Sequence, residues 1–216
     1  MNSTDGNDVI TVVDYGVGNI GALLNMFDYL GIEARASADA HTLALARKLV
    51  LPGVGAFDKA MSTLRARGLV APLQQALHEH SATVLGVCLG MQLLARTSEE
   101  GNEAGLGFIE ADVRRIRVPA GSKLKVPHMG WMDVNPTYQS ELFDPSSDVE
   151  RFYFDHSYFM ACDQPLDVTA TFDYAGPLCC AVSSGRVHGV QFHPEKSHRF
   201  GMRLLKSFAA LPDCDA

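Results

Sequence analysis

The sequence lacks the features that mark nucleic-acid-binding and membrane-spanning proteins. Its 18 basic residues are outnumbered by 25 acidic ones, for a formal net charge of −7, so no basic surface for nucleic acid or anionic membrane is expected. No apolar run is long enough to span a bilayer, and the short polar stretch 1–8 has no apolar signal core. A cytoplasmic protein that binds neither nucleic acid nor membrane is predicted.

Cysteine is scarce and poorly spaced for a structural role. The five cysteines form an odd set without a Cys-x-x-Cys pair, so neither a disulfide framework nor a zinc site is indicated. His188, His193 and His198 recur every five residues, but no cysteine or carboxylate stands at ligand spacing from them. We therefore expect reduced thiols, no metal and no cofactor.

The length of 216 residues and the hydrophobic pattern predict one α/β domain over 9–210, with a flexible leader (1–8) and a frayed tail (211–216). Apolar runs at 9–14, 48–51 and 83–87 alternate with helical segments at 20–30, 57–67, 69–80 and 89–96. This alternation is typical of a doubly wound, mostly parallel sheet with helices on both faces. Beyond Gly101, short strands are predicted to add an antiparallel layer before a last helix at 197–210; they lie at 106–116, 123–134, 151–159, 168–174, 178–183 and 187–192.

Cys88 stands in a Gly-x-Cys-x-Gly turn between an apolar run and a helical segment. Such a strand-to-helix corner lifts one side chain clear of the sheet edge, and flanking glycines let the backbone turn tightly. The N-terminus of the following helix favours a thiolate. The pattern indicates a nucleophile, although a buried structural cysteine in a βα turn is the commoner fate of a free cysteine.

A second motif, His193-Pro194-Glu195, follows the last predicted strand. Pro194 cannot donate to a strand ladder, so His193 is expected at the carboxyl end of its strand, as Cys88 is. Residues two apart in an extended chain face the same way, which places the Glu195 carboxylate beside the His193 ring. Cys88, His193 and Glu195 are thus predicted to act as nucleophile, base and orienting group, and no metal is needed.

The segment Pro52-Gly53-Val54-Gly55 ends the second predicted strand. Two glycines flanking a valine make a backbone whose amides can point outward and whose peptides can rotate at little steric cost. An oxyanion site needs this property, although a plain connecting turn has the same composition.

Two alternatives belong to other classes of protein. Gly16-Val17-Gly18-Asn19-Ile20-Gly21 satisfies the Gly-x-Gly-x-x-Gly pattern of a dinucleotide-binding module. The acidic residue expected about twenty positions on would be Asp39, which stands in a sequence typical of a helix cap. A Cys-His pair would equally serve a peptidase or a γ-glutamyl hydrolase.

Taken together, the motifs resemble the class I (triad) glutamine amidotransferases from Val9 to about Phe208. Within that family the chain resembles the glutaminase subunits of histidine biosynthesis. The anchoring stretches are 14–19, 51–57, 86–92, 127–131, 156–158 and 191–197.

This resemblance implies that glutamine is the substrate and that Cys88 forms a γ-glutamyl thioester. The oxyanion would be held by backbone amides at Leu89 and in the Gly53-Val54 region. The residues implied to hold glutamine are Gly55, Gln92, Ser157 and Tyr158.

The resemblance also implies a heterodimer with a (β/α)8-barrel cyclase or synthase. The residues implied to face this partner are His128, Met129, Gly130, Trp131 and Lys196.

The chain departs from the histidine-pathway pattern at Met132, at Asp155 and in the stretch 198–202. The last of these resembles paralogous glutaminases that supply ammonia for acetamidino groups on bacterial surface sugars, so two acceptors remain open.

Overall fold

A mixed sheet of nine strands forms the centre of the protein in a computed structural model that describes residues 9–137, 140–143 and 149–212. The predicted leader 1–8 lies outside the described residues. The strands run in the order β2-β1-β3-β4-β12-β11-β10-β7-β8. Numbered in chain order, they are β1 Ile10–Val13, β2 Ala34–Ser37, β3 Lys48–Gly53, β4 Thr83–Cys88, β7 His128–Pro136, β8 Glu150–His156, β10 Val168–Asp173, β11 Pro177–Ser184 and β12 Val187–Val190.

Helices cover both faces of this sheet, as the alternation of apolar runs and helical segments predicted. Successive residues of β3 point to opposite sides, so Leu49 and Leu51 enter one apolar core and Val50 enters the other. The core that holds Val50 also contains Phe27 and Phe208, from the first and last helices. The predicted doubly wound α/β class is confirmed. The helices are α1 Ile20–Tyr29, α2 Ala40–Ala44, α3 Phe57–Ala66, α4 Val70–Glu79, α5 Leu89–Leu93 and α6 His198–Ala210.

The antiparallel strands predicted for the C-terminal half extend the central sheet itself. β12 pairs with β4 in parallel, and β11, β10, β7 and β8 then continue the same sheet as antiparallel strands. A second, three-stranded sheet combines β5 Thr97–Ser98, β6 Ala111–Arg115 and β9 Tyr158–Cys162. The half of the sheet that carries β4 therefore remains parallel, with carboxyl ends at one edge.

Several predicted boundaries differ from those in the structure. The strand predicted over 151–159 is divided at Ser157, because β8 pairs with β7 whereas β9 pairs with β6. The helix after Cys88 ends at Leu93 instead of Arg96. Its last carbonyls accept hydrogen bonds from the loop at 105–109 and so do not continue the helix. The strand predicted over 106–116 is limited to β6, and the one predicted over 123–134 begins at His128.

β2 was not predicted, and α2 was indicated only by the helix cap expected at Asp39. β2 is a four-residue edge strand whose side chains are partly exposed, so it lacks a clear hydrophobic pattern. The frayed tail was predicted to begin at residue 211, but Leu211 is buried against the core. Residues 213–216 lie outside the described residues. Within the described part of the chain, no helix combines the length and the apolar character needed to cross a bilayer.

Candidate active site

Cys88 ends β4 in a backbone conformation that side chains rarely adopt. Its φ of 55° and ψ of −113° form a sharp turn into α5, the strained corner on which an α/β enzyme can present a nucleophile. The strain lies on Cys88 itself, since neither Gly86 nor Gly90 has a positive φ. These glycines provide space instead: a Cβ on Gly90 would lie 1.8 Å from the Leu51 carbonyl oxygen, and one on Gly86 would lie 2.7 Å from the Gly90 oxygen. Gly86 and Gly90 are therefore required for close packing and not, as predicted, for the backbone conformation of the turn.

The register of three parallel strands assembles the residues around the thiol. Gly53 of β3 pairs with Cys88, and Val190 of β12 pairs with Val87. The chain that continues beyond Val190 reaches His193 at the same edge of the sheet, three residues after the strand ends. Segments 35 residues before and 105 residues after the cysteine thus meet at its side chain.

His193 and Glu195 form a buried pair next to Cys88. The Nδ1 atom of His193 lies 2.8 Å from Oε1 of Glu195, and both side chains are almost fully buried. The backbone of His193 is fixed at both ends, because its N–H donates to the Tyr153 carbonyl and its carbonyl accepts from the Ser197 hydroxyl. Burial lowers the pKa of the imidazole, but hydrogen bonds to Cys88 and Glu195 outweigh burial and raise the pKa of His193 to about 10. The resting imidazole is therefore protonated at neutral pH.

This raised pKa predicts a pH-dependent contribution to stability. The pKa of His193 is roughly 6.5 in the unfolded chain and about 10 in the folded one, so the imidazolium stabilises the fold fully below about pH 6.5, and this stabilisation is lost as pH rises through 10. We expect Glu195→Gln to lower the free energy of unfolding by about 3 kcal/mol at pH 6, because it breaks a buried ion pair. The loss should shrink towards pH 10 in denaturant titrations.

Asp133→Asn is the matched control, since it breaks an exposed ion pair in which Asp133 Oδ1 lies 2.6 Å from the Arg151 Nε. It should cost less than about 1 kcal/mol at either pH. Equal losses for the two variants would contradict the assignment of a buried charged pair at His193.

A cleft of about 260 Å³ opens at the thiol. Most of the residues singled out from sequence lie on its wall, whereas Gly53 and Glu195 do not: Gly53 pairs with Cys88 inside the sheet, and Glu195 contacts His193. The sequence-predicted residues on the wall are Val54, Gly55, Cys88, Leu89, Gln92, Ser157, Tyr158, His193 and Lys196.

The glycine-rich segment beside the cleft is anchored at its two ends. At one end the Tyr15 hydroxyl, fully buried, donates to the Pro52 carbonyl at 2.8 Å. At the other end the Phe57 N–H donates to the Glu100 carboxylate, also at 2.8 Å. Between the anchors, Gly53 is buried and residues 54–56 are exposed. Backbone rotation at low cost is thereby limited to the stretch between these anchors.

Five residues on or next to the cleft were not predicted as site residues from the sequence. Four of them line its wall, and the fifth, Gln191, contacts the sulfur from within the protein. Gln191 stood inside a recognised motif and could have been singled out. Glu100 carries no local signal, because only tertiary packing brings its loop to the start of α3. The four on the wall are Glu100, Pro127, Asp155 and His156.

The residues predicted to face a partner divide into exposed and buried ones. Met129 and Trp131 are 63% and 39% exposed and alternate along β7, so they share one face. His128 is only 4% exposed and stacks on Phe172, so the prediction that it faces a partner is wrong. Since β7 alternates, the face that presents Met129 necessarily turns His128 inward. Gly130 lies between them with a φ of 142°.

Trp131 belongs to a small exposed surface, which we call the Trp131 patch. Its indole ring stacks on His198 with centroids 5.6 Å apart and meets Tyr153 edge-on. The Lys196 ammonium lies 5.6 Å from the centre of the Tyr153 ring. Because Lys196 also lines the cleft, the patch borders the cleft opening. The patch consists of Met129, Trp131, Tyr153, Lys196 and His198.

Two glycines of the dinucleotide-like motif, Gly16 and Gly18, have packing roles in the structure. A Cβ on Gly18 would lie 2.8 Å from the Cβ of Pro52, and one on Gly16 would lie 3.0 Å from the Arg67 guanidinium. Asp39 caps α2 by accepting from the Thr42 N–H, as its sequence context indicated. Among the described residues, no three potential ligands come together as a metal site.

Comparison with known proteins identifies the family. The family model "Glutamine amidotransferase class-I" matches residues 11–210. The chain is 46% identical over 203 residues to "Imidazole glycerol phosphate synthase subunit HisH 2" of Pseudomonas aeruginosa, covering 94% of this chain and all of that one. It is 45% identical over 204 residues to "Imidazole glycerol phosphate synthase subunit HisH" of Bdellovibrio bacteriovorus, with the same coverage.

Solved structures agree on the fold. A crystal structure described as a glutamine amidotransferase superposes with a TM-score of 0.72 at 21% identity, covering 92% of this chain and 96% of that one. At 21% identity this similarity shows the fold alone. The family is shown by the family model and by the two relatives. The chain belongs to the class-I glutamine amidotransferases and is an enzyme of that family.

Proposed function

We propose that this chain is the glutaminase subunit of imidazole glycerol phosphate synthase, working in the cytoplasm in histidine biosynthesis. It would hydrolyse L-glutamine to glutamate and ammonia and pass the ammonia to a synthase partner. The proposal is carried by the buried His193–Glu195 pair beside Cys88 at the wall of a cleft. It is supported by two relatives that bear this subunit's name and match nearly the whole chain.

The proposed chemistry uses each member of the triad once in each half of the reaction. The Cys88 thiolate attacks the carboxamide carbon, and the oxyanion that forms is held by backbone N–H groups at Leu89 and in the Gly53-Val54 region. The protonated His193 gives its proton to the departing ammonia, which leaves a γ-glutamyl thioester. The neutral imidazole then takes a proton from water, whose oxygen attacks the thioester and releases glutamate and the thiol. Glu195 holds the imidazole in orientation throughout.

The cleft wall suits a substrate that carries an amide and an α-ammonium group. Gln92 uses its amide nitrogen for hydrogen bonds to Tyr158 and Gln191, which leaves its carbonyl oxygen to accept from the substrate. The carboxylates of Glu100 and Asp155 are on the same wall and complement an α-ammonium group. We propose that Gly55, Gln92, Ser157 and Tyr158 bind glutamine.

The product explains why a partner is needed. Ammonia released into water is protonated and loses its nucleophilicity, so a subunit without its own acceptor site requires a shielded path to a synthase. The Trp131 patch borders the cleft and exposes Met129 and Trp131, residues of the kind enriched at interface centres. We propose that this patch and Gly130 face a (β/α)8-barrel cyclase.

A second acceptor is favoured by the position of the sequence departures. His198 stacks directly on Trp131, Met132 follows Trp131 in β7, and Asp155 is on the cleft wall. The departures at His198 and Asp155 therefore lie at or beside the proposed partner surface, where they would alter the choice of synthase. Met132 points to the opposite face of β7 and packs against the core. The alternative is a glutaminase that supplies ammonia for acetamidino groups on surface sugars.

Reconstitution tests both acceptors. The purified chain is titrated with the cyclase and with the sugar synthase from the same genome, and glutamine hydrolysis and product formation are measured. We expect the cyclase to stimulate hydrolysis and to yield imidazole glycerol phosphate, and Trp131→Ala to weaken its binding at least about tenfold. Leu166→Ala, at an exposed apolar residue outside the patch, should bind normally. Stimulation by the sugar synthase alone would select the second acceptor. If neither partner supported glutamine hydrolysis, both proposals would be contradicted.

A further inference from the structure

A fully buried glutamine, Gln191, contacts the sulfur of the nucleophile. Val190 pairs with Val87, so the following residue, Gln191, comes level with Cys88 on the neighbouring strand. The backbone N–H of Gln191 donates to the Cys180 carbonyl at 2.9 Å, which fixes its position. Its side-chain Nε2 lies 3.9 Å from the Cys88 sulfur.

The orientation of this side-chain amide follows from its neighbours. The Tyr158 carbonyl can only accept, and it lies 3.3 Å from Nε2 of Gln92. Gln92 must therefore turn its NH2 group towards Tyr158, and the same nitrogen lies 3.0 Å from Oε1 of Gln191. Because Gln191 presents its oxygen to Gln92, its NH2 group lies on the side of the sulfur and donates to it.

Two histidines extend this chain of hydrogen bonds away from the sulfur. The Tyr158 carbonyl also accepts from Nδ1 of His156 at 2.8 Å. Burial lowers the pKa of His156 to about 4, so its ring is neutral and Nε2 can only accept. That acceptor lies 3.3 Å from Nδ1 of His128, which donates. An ordered path thus runs from β7, next to the Trp131 patch, to Cys88.

We propose that Gln191 is a further catalytic residue, whose side-chain amide donates a hydrogen bond to the Cys88 thiolate. This inference rests on the proposed thiol chemistry. In it, Gln191 is a second hydrogen-bond donor to the sulfur beside His193. Hydrogen bonds to an ionised acceptor are shorter and stronger than neutral ones, so the contact tightens when the sulfur is charged. Once the sulfur becomes a neutral thioester, this stabilisation is lost, so Gln191 and His193 both stabilise the attacking form of the sulfur.

Alkylation of Cys88 by iodoacetamide tests the contact between Gln191 and the sulfur in the absence of glutamine and partner. The proposal for Gln191 can therefore fail independently of the proposed function. Gln191→Met keeps the length of the side chain but removes the donor. We expect it to slow alkylation of Cys88 about tenfold at pH 7, the usual size of a hydrogen bond to a charged group, and to move the midpoint of the pH–rate profile upward. Gln75→Met, at an exposed helical glutamine, should match the wild type.

A wild-type alkylation profile in folded Gln191→Met would overturn the proposal, even if glutamine hydrolysis fell, because the role would then be structural only. A measurement on the wild-type chain covers the case in which the variant does not fold. The side-chain NH2 resonances of Gln191 in a 15N-labelled sample should shift when Cys88 is alkylated, and an absence of any shift would equally overturn the proposal.

Discussion

Replacing Cys88 by alanine is expected to abolish glutamine-dependent synthesis in the assembled complex while leaving synthesis from added ammonium intact. Removing the nucleophile of such a triad costs on the order of 10⁴-fold or more. Ammonium supplied to the partner bypasses the thiol entirely. The measurement compares product formation with glutamine and with ammonium, using wild-type and variant complexes at equal concentration.

Cys162→Ala is the matched control, because Cys162 is a free, partly exposed cysteine that does not line the cleft. Both activities should stay within about twofold of the wild type. Loss of both activities in Cys88→Ala would mean that Cys88 is structural. Retention of the glutamine-dependent activity would exclude it as the nucleophile.

Replacing Gly90 by alanine is expected to prevent folding or to lower the free energy of unfolding by more than about 4 kcal/mol. A loss of this size is exceptional for one substitution and indicates severe disruption of the core. The added Cβ would lie 1.8 Å from the Leu51 carbonyl oxygen, a backbone atom that cannot move aside as a side chain would. β3 and the start of α5 would have to separate, which would displace Gly53 from Cys88. Denaturant titration and the yield of folded protein measure the effect.

Gly21→Ala provides the opposite outcome at another helical glycine. Gly21 is exposed in α1, and a Cβ there has nothing within 4 Å. Alanine should therefore stabilise the chain by roughly 0.5–1 kcal/mol, since it removes backbone freedom from the unfolded state and favours the helix. If Gly90→Ala cost no more than an ordinary surface substitution, the close packing of β3 on α5 would be wrong.

The elements closest to the thiol were the most predictable from sequence. The strand before Cys88 and the helical start after it depend on residues that are adjacent in the chain. Glu195 stands two residues after His193, so its placement beside the ring also depends on local sequence. In the structure, His193 Nδ1 and Glu195 Oε1 lie 2.8 Å apart. Boundaries failed where a hydrophobic run crossed between sheets, as at Ser157.

Other features depend on contacts between distant segments. Glu100 anchors the start of α3, and Gln191 reaches the sulfur through the register of β12 on β4. His128 was expected at the surface, but the alternation of β7 buries it against aromatic rings. No local pattern indicates which loop will meet which helix, or which of two faces will be covered.

By itself, the sequence determined the alternation of strands and helices, the corner that carries Cys88, and the pairing of His193 with Glu195, because periodicity and short spacings act on neighbouring residues. Only the tertiary structure decided that β12 lies beside β4, that Gly53 and Gly90 approach closely enough to exclude a Cβ, and that a chain of buried amides ends on the thiol. Each of these joins segments between 37 and 103 residues apart. Such contacts are selected by packing the whole core at once, because the local pattern specifies which face is buried but not what lies against it.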